Sequence, residues 1–193
     1  IEEYLKQNHF VDDETLIEIK KINEELNGRL PEDNVNRGVV WKLKKFEFDN
    51  MFSYGESNVV DFTKLSGIIG MFAPNASGKS SLLDAVSFCL FDTSSRAFRA
   101  VNVLNNKKND FYCKATLEVE GVEYFIERFG KRHKNGHVKV NVDFYSYDDA
   151  GEKISFNGDQ RRTTQLNIRK LIGTYEDFVM TALSLQTNST VFI

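Results

Sequence analysis

The residues best suited to chemistry are Gly78-Lys79-Ser80-Ser81, preceded by Ala73-Pro74-Asn75-Ala76-Ser77. An apolar run, Ile68-Ile69-Gly70-Met71-Phe72, leads into them. A segment with helical spacing follows, through Leu82, Leu83, Val86, Cys89 and Leu90. Strand, short polar loop and helix opening on Gly-Lys-Ser is the context of a phosphate-binding P-loop. Backbone N–H groups of Asn75, Ala76, Ser77, Gly78, Lys79, Ser80 and Ser81 would point at anionic phosphates, where the helix N-terminus favours negative charge. Lys79 adds a cation near the β- and γ-phosphates, and the Ser80 hydroxyl is a ligand for Mg²⁺. The usual pattern is G-x-x-x-x-G-K-[ST]. Ala73 holds its first glycine position, and Ala76 stands where a further glycine is common. A side chain in a left-handed conformation costs about 1–2 kcal/mol, so these two alanines predict a loop that is strained or differently bent.

The elements that must position this loop are read from periodicity. Trp41–Phe48 alternates apolar and polar residues, the mark of a half-buried strand. Asn58–Phe62 reads as a second strand. Gly67–Phe72, the most apolar, reads as a third and central one. The P-loop helix runs to about Phe91. Ser94–Asn109 is polar and irregular. Alternating strands follow at Tyr112–Glu120, Val122–Phe129, Val138–Tyr147 and Lys153–Phe156. Gly121 and Asn135-Gly136 mark hairpin turns. Gln160–Leu171 and Tyr175–Leu183 read as helices broken by Gly173. Two strands before the P-loop strand and a run of antiparallel strands after its helix differ from the regular strand–helix alternation of a small kinase or GTPase. The expected fold class is α/β, a P-loop lobe with a mixed sheet and additional antiparallel strands, preceded by a short helical appendage.

The chain has 193 residues, 41% hydrophobic and 27% charged, with 16 Phe and 2 Pro. This is the composition of a packed domain, not a disordered linker. Residues 1–36 hold ten acids against four bases, a net −6 within a total of −3, so the remainder is mildly basic. Leu16, Ile19, Ile22, Leu26 and Leu30 give that acidic segment an amphipathic stripe, and Pro31–Gly38 reads as a linker. The expected division is an acidic helical appendage or linker at 1–36 and a P-loop lobe at 37–193. Ile1 in place of Met, and the stop at Ile193, mark the chain as an expected fragment of a longer polypeptide. No apolar run approaches the ~18 residues of a membrane helix and no signal peptide is visible. The two cysteines, Cys89 and Cys113, lack metal spacing and read as reduced intracellular thiols. Together these predict a cytoplasmic or nucleoid/nuclear location, without membrane or secretion. Four basic clusters, Arg96/Arg99, Lys107/Lys108, Lys131–Lys134 and Arg161/Arg162, could line a phosphate backbone, and the sequence does not choose among them.

On these residues the chain resembles the N-terminal ATPase lobe of the SMC-like DNA double-strand-break repair ATPases, the SbcC and Rad-fifty type proteins of the wider ABC-ATPase group. The resemblance rests on the opening strand Leu43–Ser53, on Asp61-Phe62 closing the second strand, on Pro74-Asn75 with Ser80-Ser81-Leu82-Leu83-Asp84-Ala85-Val86, and on Gln186 after two helices. It covers about Trp41 to Ile193. Phe52 departs from it, standing where many relatives have Arg, and residues 1–40 have no counterpart. The resemblance implies ATP as ligand, with Ser80 and Gln186 on Mg²⁺ and Gln186 also positioning the attacking water. It implies a second head for dimerisation, the protein's own C-terminal half, DNA, and an SbcD-type partner nuclease. No Asp-Glu strand, signature sequence or switch histidine is present, so the fragment alone is expected to bind nucleotide weakly or not at all and to turn over no ATP. The alternative implied by Ala73 and Ala76 is a non-hydrolysing nucleotide-binding DNA tether, or an SMC-like chromosome or recombination protein.

Overall fold

The computed structural model describes residues 15–22, 39–75, 77–97 and 99–182. The chain divides into two units, Ile1–Asn34 and Val35–Ile193. In the first, residues 15–22 are helical, within the stretch that Leu16, Ile19 and Ile22 mark out. The shorter helix expected before it, and the linker Pro31–Gly38, lie outside the described residues.

The second unit is built on six strands: β1 (Trp41–Asp49), β2 (Asn58–Asp61), β3 (Asp110–Val119), β4 (Val122–Arg132), β5 (Val138–Tyr147) and β6 (Lys153–Ser155). They form one sheet in the order β2-β1-β3-β4-β5-β6, antiparallel throughout. Side chains alternate across a strand, so each pattern in the sequence assigns one face to the core. Phe46 and Phe48 of β1, Phe111, Cys113, Ala115 and Leu117 of β3, Ile126 of β4, and Val140 and Phe144 of β5 are all buried. Glu120 and Gly121, both at positive φ, turn β3 into β4. Gly136 does the same between β4 and β5, where the His133 amide donates to the His137 carbonyl. β5 lies inside the sheet, between β4 and β6.

Helices cover the apolar face. The connection from β2 to β3 carries a 3-10 turn (Phe62–Lys64), α1 (Lys79–Phe91) and the four-residue α2 (Ala100–Val103). α2 falls within the stretch that the sequence reads as irregular, since four residues are too few to show a period. After β6 come α3 (Arg161–Ile172) and α4 (Tyr175–Thr181). Gly173 separates them, and a capping box of Thr174 and Asp177 starts α4. From Asp84 to Phe91 every residue of α1 is buried. Phe88 meets Phe111 edge-on at 5.7 Å, and Phe91 packs on Phe178 at 5.1 Å. Each such ring removed from water contributes about 2–3 kcal/mol. Cys89 and Cys113 are both buried in this core.

Among the described residues two charged side chains, Asp84 and Arg128, are buried with it. Arg128 of β4 has no exposed surface. Its Nε donates to the Cys89 carbonyl at 2.7 Å, and one terminal nitrogen donates to Gln165 Oε1 of α3. The other lies 3.4 Å from Asp92 Oδ1. Asp92 caps α1 in the left-handed conformation (φ 63°) and also pairs with Arg161. Gln165 in turn donates to the Leu90 carbonyl. Burial pushes the Arg128 guanidinium down from its usual pKa, and the Asp92 carboxylate opposes that shift. The C-terminal end of α1 is thus fastened to both β4 and α3.

The opposite face of the sheet is polar and aromatic. Phe125 stacks on Tyr145 across β4 and β5, with ring centroids 5.1 Å apart, and Lys114 Nζ lies 4.9 Å above Phe125. Glu127 accepts a hydrogen bond from the Tyr145 hydroxyl and pairs with Lys114 at 2.9 Å. Partial burial would raise the Glu127 carboxyl; the Tyr145 and Lys114 hydrogen bonds outweigh it and hold the pKa below the ordinary 4.5. Burial and the Glu127 carboxylate raise the Tyr145 phenol to about 12. A depressed folded-state pKa contributes stability above the unfolded value, and that contribution is lost as pH falls through the folded one. Glu127→Gln is therefore expected to melt below the wild type at pH 7, with the two curves converging below about pH 4. Thermal unfolding across pH checks this; a constant offset would assign the difference to packing.

The expectation that fails is the central strand at Gly67–Phe72. These residues pair with no strand among the described residues, and Ile68, Ile69, Met71 and Phe72 are exposed, Phe72 at 96%. An apolar run encodes a tendency to be buried. A strand also needs a ladder of partner amides and carbonyls, which apolar composition does not supply. No helix among the described residues is long and apolar enough to cross a membrane.

Candidate nucleotide site

The loop rests on a floor that periodicity does not reveal. Between β1 and β2 the chain turns sharply, with Asn50 and Phe52 both left-handed (φ 56° and 53°). Non-glycine residues held there store about 1–3 kcal/mol each and persist only where the surroundings enforce them. The enforcement is visible. The Phe52 amide donates to the Val103 carbonyl at 2.6 Å, the Asn105 amide to the Asn50 carbonyl at 2.8 Å, and Asn105 Nδ2 to the Tyr54 carbonyl at 2.9 Å. This turn holds Ser53 and Tyr54 beneath the loop, where the Tyr54 hydroxyl donates to the Gly78 carbonyl at 3.0 Å.

Gly78 is the residue through which the loop becomes a helix. It caps α1 at φ 99°, ψ 8°. A Cβ at this position would stand 2.6 Å from Ser53 Oγ and 3.3 Å from the Tyr54 ring. Both the conformation and the space require glycine. Having no side chain, Gly78 cannot cap the helix, and the first turn holds no acid. The amides of Lys79, Ser80 and Ser81 thus have neither an intrahelical acceptor nor a carboxylate beside them, which suits them to an anion.

Lys79 Nζ folds back to donate to the Ala73 carbonyl at 2.5 Å and the Pro74 carbonyl at 2.8 Å. A phosphate oxygen would offer this ammonium a charged acceptor in place of two neutral ones, a bond about twice as strong. Asn75, Ser77 and Ser80 are exposed, while Gly78, Lys79 and Ser81 are half-buried. The structure brings these six together at one helix end. Ala76 and Gln186 lie outside the described residues. The expected strain at Ala73 is absent: it is not among the residues at positive φ.

The residues present fit a nucleotide's phosphates: a cradle that a Cβ would fill, uncapped amides and a lysine held over the loop. Were Mg²⁺ bound, the Ser80 hydroxyl is the described side chain that would hold it, and the ion would supply charge neutralisation beside the phosphates. No cluster of His, Cys, Asp or Glu among the described residues could hold a metal.

Sequence reasoning missed the brace behind the loop. Asp84, 3% exposed in α1, accepts from Arg96 Nε at 2.6 Å and from Ser95 Oγ at 2.8 Å. Arg96 also reaches Ser81 Oγ at 3.4 Å. Arg96 therefore belongs to the P-loop helix, not to a free basic cluster with Arg99. An acid in an otherwise apolar helical segment was the available signal. Lys108 is likewise engaged, with Glu56 at 2.5 Å.

Comparisons with known proteins show what the chain is similar to. A family model described as "AAA domain" matches residues 45–188. "Uncharacterized protein R555" of Acanthamoeba polyphaga mimivirus is 42% identical over 160 residues, covering 79% of this chain and 12% of that protein. The SbcC component of the SbcCD nuclease of Bacillus subtilis (strain 168) is 27% identical, over 66% of this chain and 12% of its own length. The "DNA double-strand break repair Rad50 ATPase" of Methanococcus maripaludis is 29% identical, over 58% and 11%. The chain thus spans about an eighth of the length of these relatives. The chain belongs to the AAA domain family, as an N-terminal lobe of the SMC-like, ABC-type ATPases that include SbcC and Rad50.

Proposed function

We propose that this chain is the ATP-binding half of a DNA repair ATPase head. The observation that carries the reading is the Gly78–Ser81 helix start, uncapped, free of acids and built over the Ser53-Tyr54 floor. In this reading Lys79 and the loop amides hold the β- and γ-phosphates, and Ser80 and Gln186 hold Mg²⁺. Hydrolysis to ADP and phosphate takes place in the complete protein, after a second head supplies the opposing face. The protein's own C-terminal half covers the exposed Ile68–Phe72 run, which accounts for so much apolar surface beside the loop. DNA and an SbcD-type nuclease are the remaining partners, at an intracellular location.

The test is binding of a fluorescent ATP analogue to this chain with Mg²⁺. Lys79→Ala is expected to weaken binding at least tenfold with little change in melting temperature, since its two carbonyl partners are on an exposed loop. Equal binding by wild type and variant would overturn the reading. So would steady-state hydrolysis by this chain alone that disappears with Lys79→Ala, because it would place the whole catalytic site here.

A further inference from the structure

We infer that the cleft between α2, the β4–β5 turn and α3 is a second phosphate-binding site, which takes the backbone of a nucleic-acid strand. The cleft has a volume of about 1150 Å³ and is lined by Arg99, Arg161, Arg162, Arg169 and His137, with Asp92 as its carboxylate. Four guanidiniums thus converge from α3 and the start of α2, in a chain whose net charge is −3. Composition does not explain their convergence.

Their bonding state points to a ligand. Arg99, Arg162 and Arg169 make no side-chain hydrogen bond or ion pair among the described residues, and Arg161 has Asp92 alone. The Nε atoms of Arg161 and Arg169 are shielded from solvent and lack a hydrogen-bond partner. Behind Asp92, the fully buried Arg128 is already paired with that carboxylate. The exposed guanidiniums of Arg99 and Arg162 are the donors open to an anion entering the cleft. The arginine fork matches phosphate oxygens in pairs, which a lysine cannot do.

Spacing favours a polymer over a single anion. Arg161, Arg162, Gln165 and Arg169 recur on one face of α3, and eight residues of helix span about 12 Å. A nucleic-acid strand carries one charge per ~3.4 Å, so that face meets about three successive phosphates. The site is remote from the P-loop: α1 has 13 residues, about 18 Å from end to end, and Asp92 follows its last turn. Choosing a nucleic acid over an acidic peptide rests on the DNA-repair reading above.

The experiment measures anisotropy of a labelled 30-nucleotide strand, and of its duplex, with the full chain between 50 and 200 mM salt. Arg99→Glu with Arg162→Glu, both exposed and outside the Asp92 pair, is expected to weaken binding at least tenfold and to lower the log–log salt slope by about 2. A matched change elsewhere, Lys42→Glu with Lys107→Glu, is expected to cost less than threefold. An equal loss in both pairs, or none in the first, would overturn the assignment. Displacement by polyglutamate as effective as by oligonucleotide of equal charge would overturn the nucleic-acid choice. Displacement by millimolar inorganic phosphate alone would overturn the polymer. An ATP-analogue titration of wild type against Lys79→Ala runs in parallel. Lys79-dependent nucleotide binding with oligonucleotide binding that ignores Arg99 and Arg162 sinks this site and spares the proposed function, whereas loss of both activities in the wild type sinks the two together.

Discussion

Arg128→Ala is expected to destabilise the lobe by about 3–5 kcal/mol, the cost of removing one partner from a buried ion pair. In a unit of this size that lowers the melting temperature by about 10 °C or more. The substitution strands three groups: the Cys89 carbonyl, Gln165 Oε1 and, in part, the Asp92 carboxylate. It also leaves a cavity beneath Phe88, whose ring centroid lies 5.9 Å from the guanidinium carbon. Lysine keeps the charge but cannot direct donors to β4's neighbours on α1 and α3 at once, so Arg128→Lys is expected to recover less than half the loss. Denaturant unfolding of the three proteins decides the point. An alanine variant within about 1 kcal/mol of the wild type would show that water or rearrangement satisfies those acceptors.

The second large effect is expected at Gly130. Its position on β4 faces the core, opposite Phe111 of β3. A Cβ there would overlap Phe111 Cε1 and Cζ and stand 2.6 Å from Cδ1. The same ring meets Phe88 edge-on, with centroids 5.7 Å apart, so any shift of Phe111 away from a new Cβ disturbs that contact as well. Overpacking of this kind typically costs about 1–3 kcal/mol, and this contact belongs at the upper end, at about 3 kcal/mol. Phe111→Leu should relieve the clash, so the double variant Gly130→Ala, Phe111→Leu is expected to be more stable than the sum of the two single changes. Additive losses in a double-mutant cycle would remove Phe111 as the cause.

Both residues bear on what the sequence could reveal. The strand expected at Val122–Phe129 runs on to Arg132, and Ile126, Arg128 and Gly130 all fall on its buried face. The sequence did not mark Arg128 as a core residue, because the partners of its charge come from Cys89, Asp92 and Gln165, far away in the chain. Strand ends and turns were legible because they are local: Gly121, Asn135-Gly136 and Gly173 each act within a few residues. The P-loop was legible for the same reason. Its floor was not, since Ser53 and Tyr54 reach Gly78 from a turn 24 residues earlier that is clamped by Asn105. Gly67–Phe72 is the reverse case. Its composition says strand, and nothing local can say whether a partner strand exists. The arginine cleft was half legible: Arg99 and Arg161/Arg162 stood in separate clusters, and only the return of α3 past α2 sets them facing one another.

The placement of β1 in the sheet has a consequence for biosynthesis. β1 bonds to β2 on one side and to β3 on the other, yet the whole P-loop and α1 lie in the connection between β2 and β3. As the polypeptide leaves the ribosome, its Gly-Lys-Ser loop emerges well before Phe111, Ile126 and Arg128, which give α1 a surface to rest on. Under the proposed function, nucleotide capture waits until translation has passed β4. A nascent chain halted short of Asp110 carries the motif without the pocket.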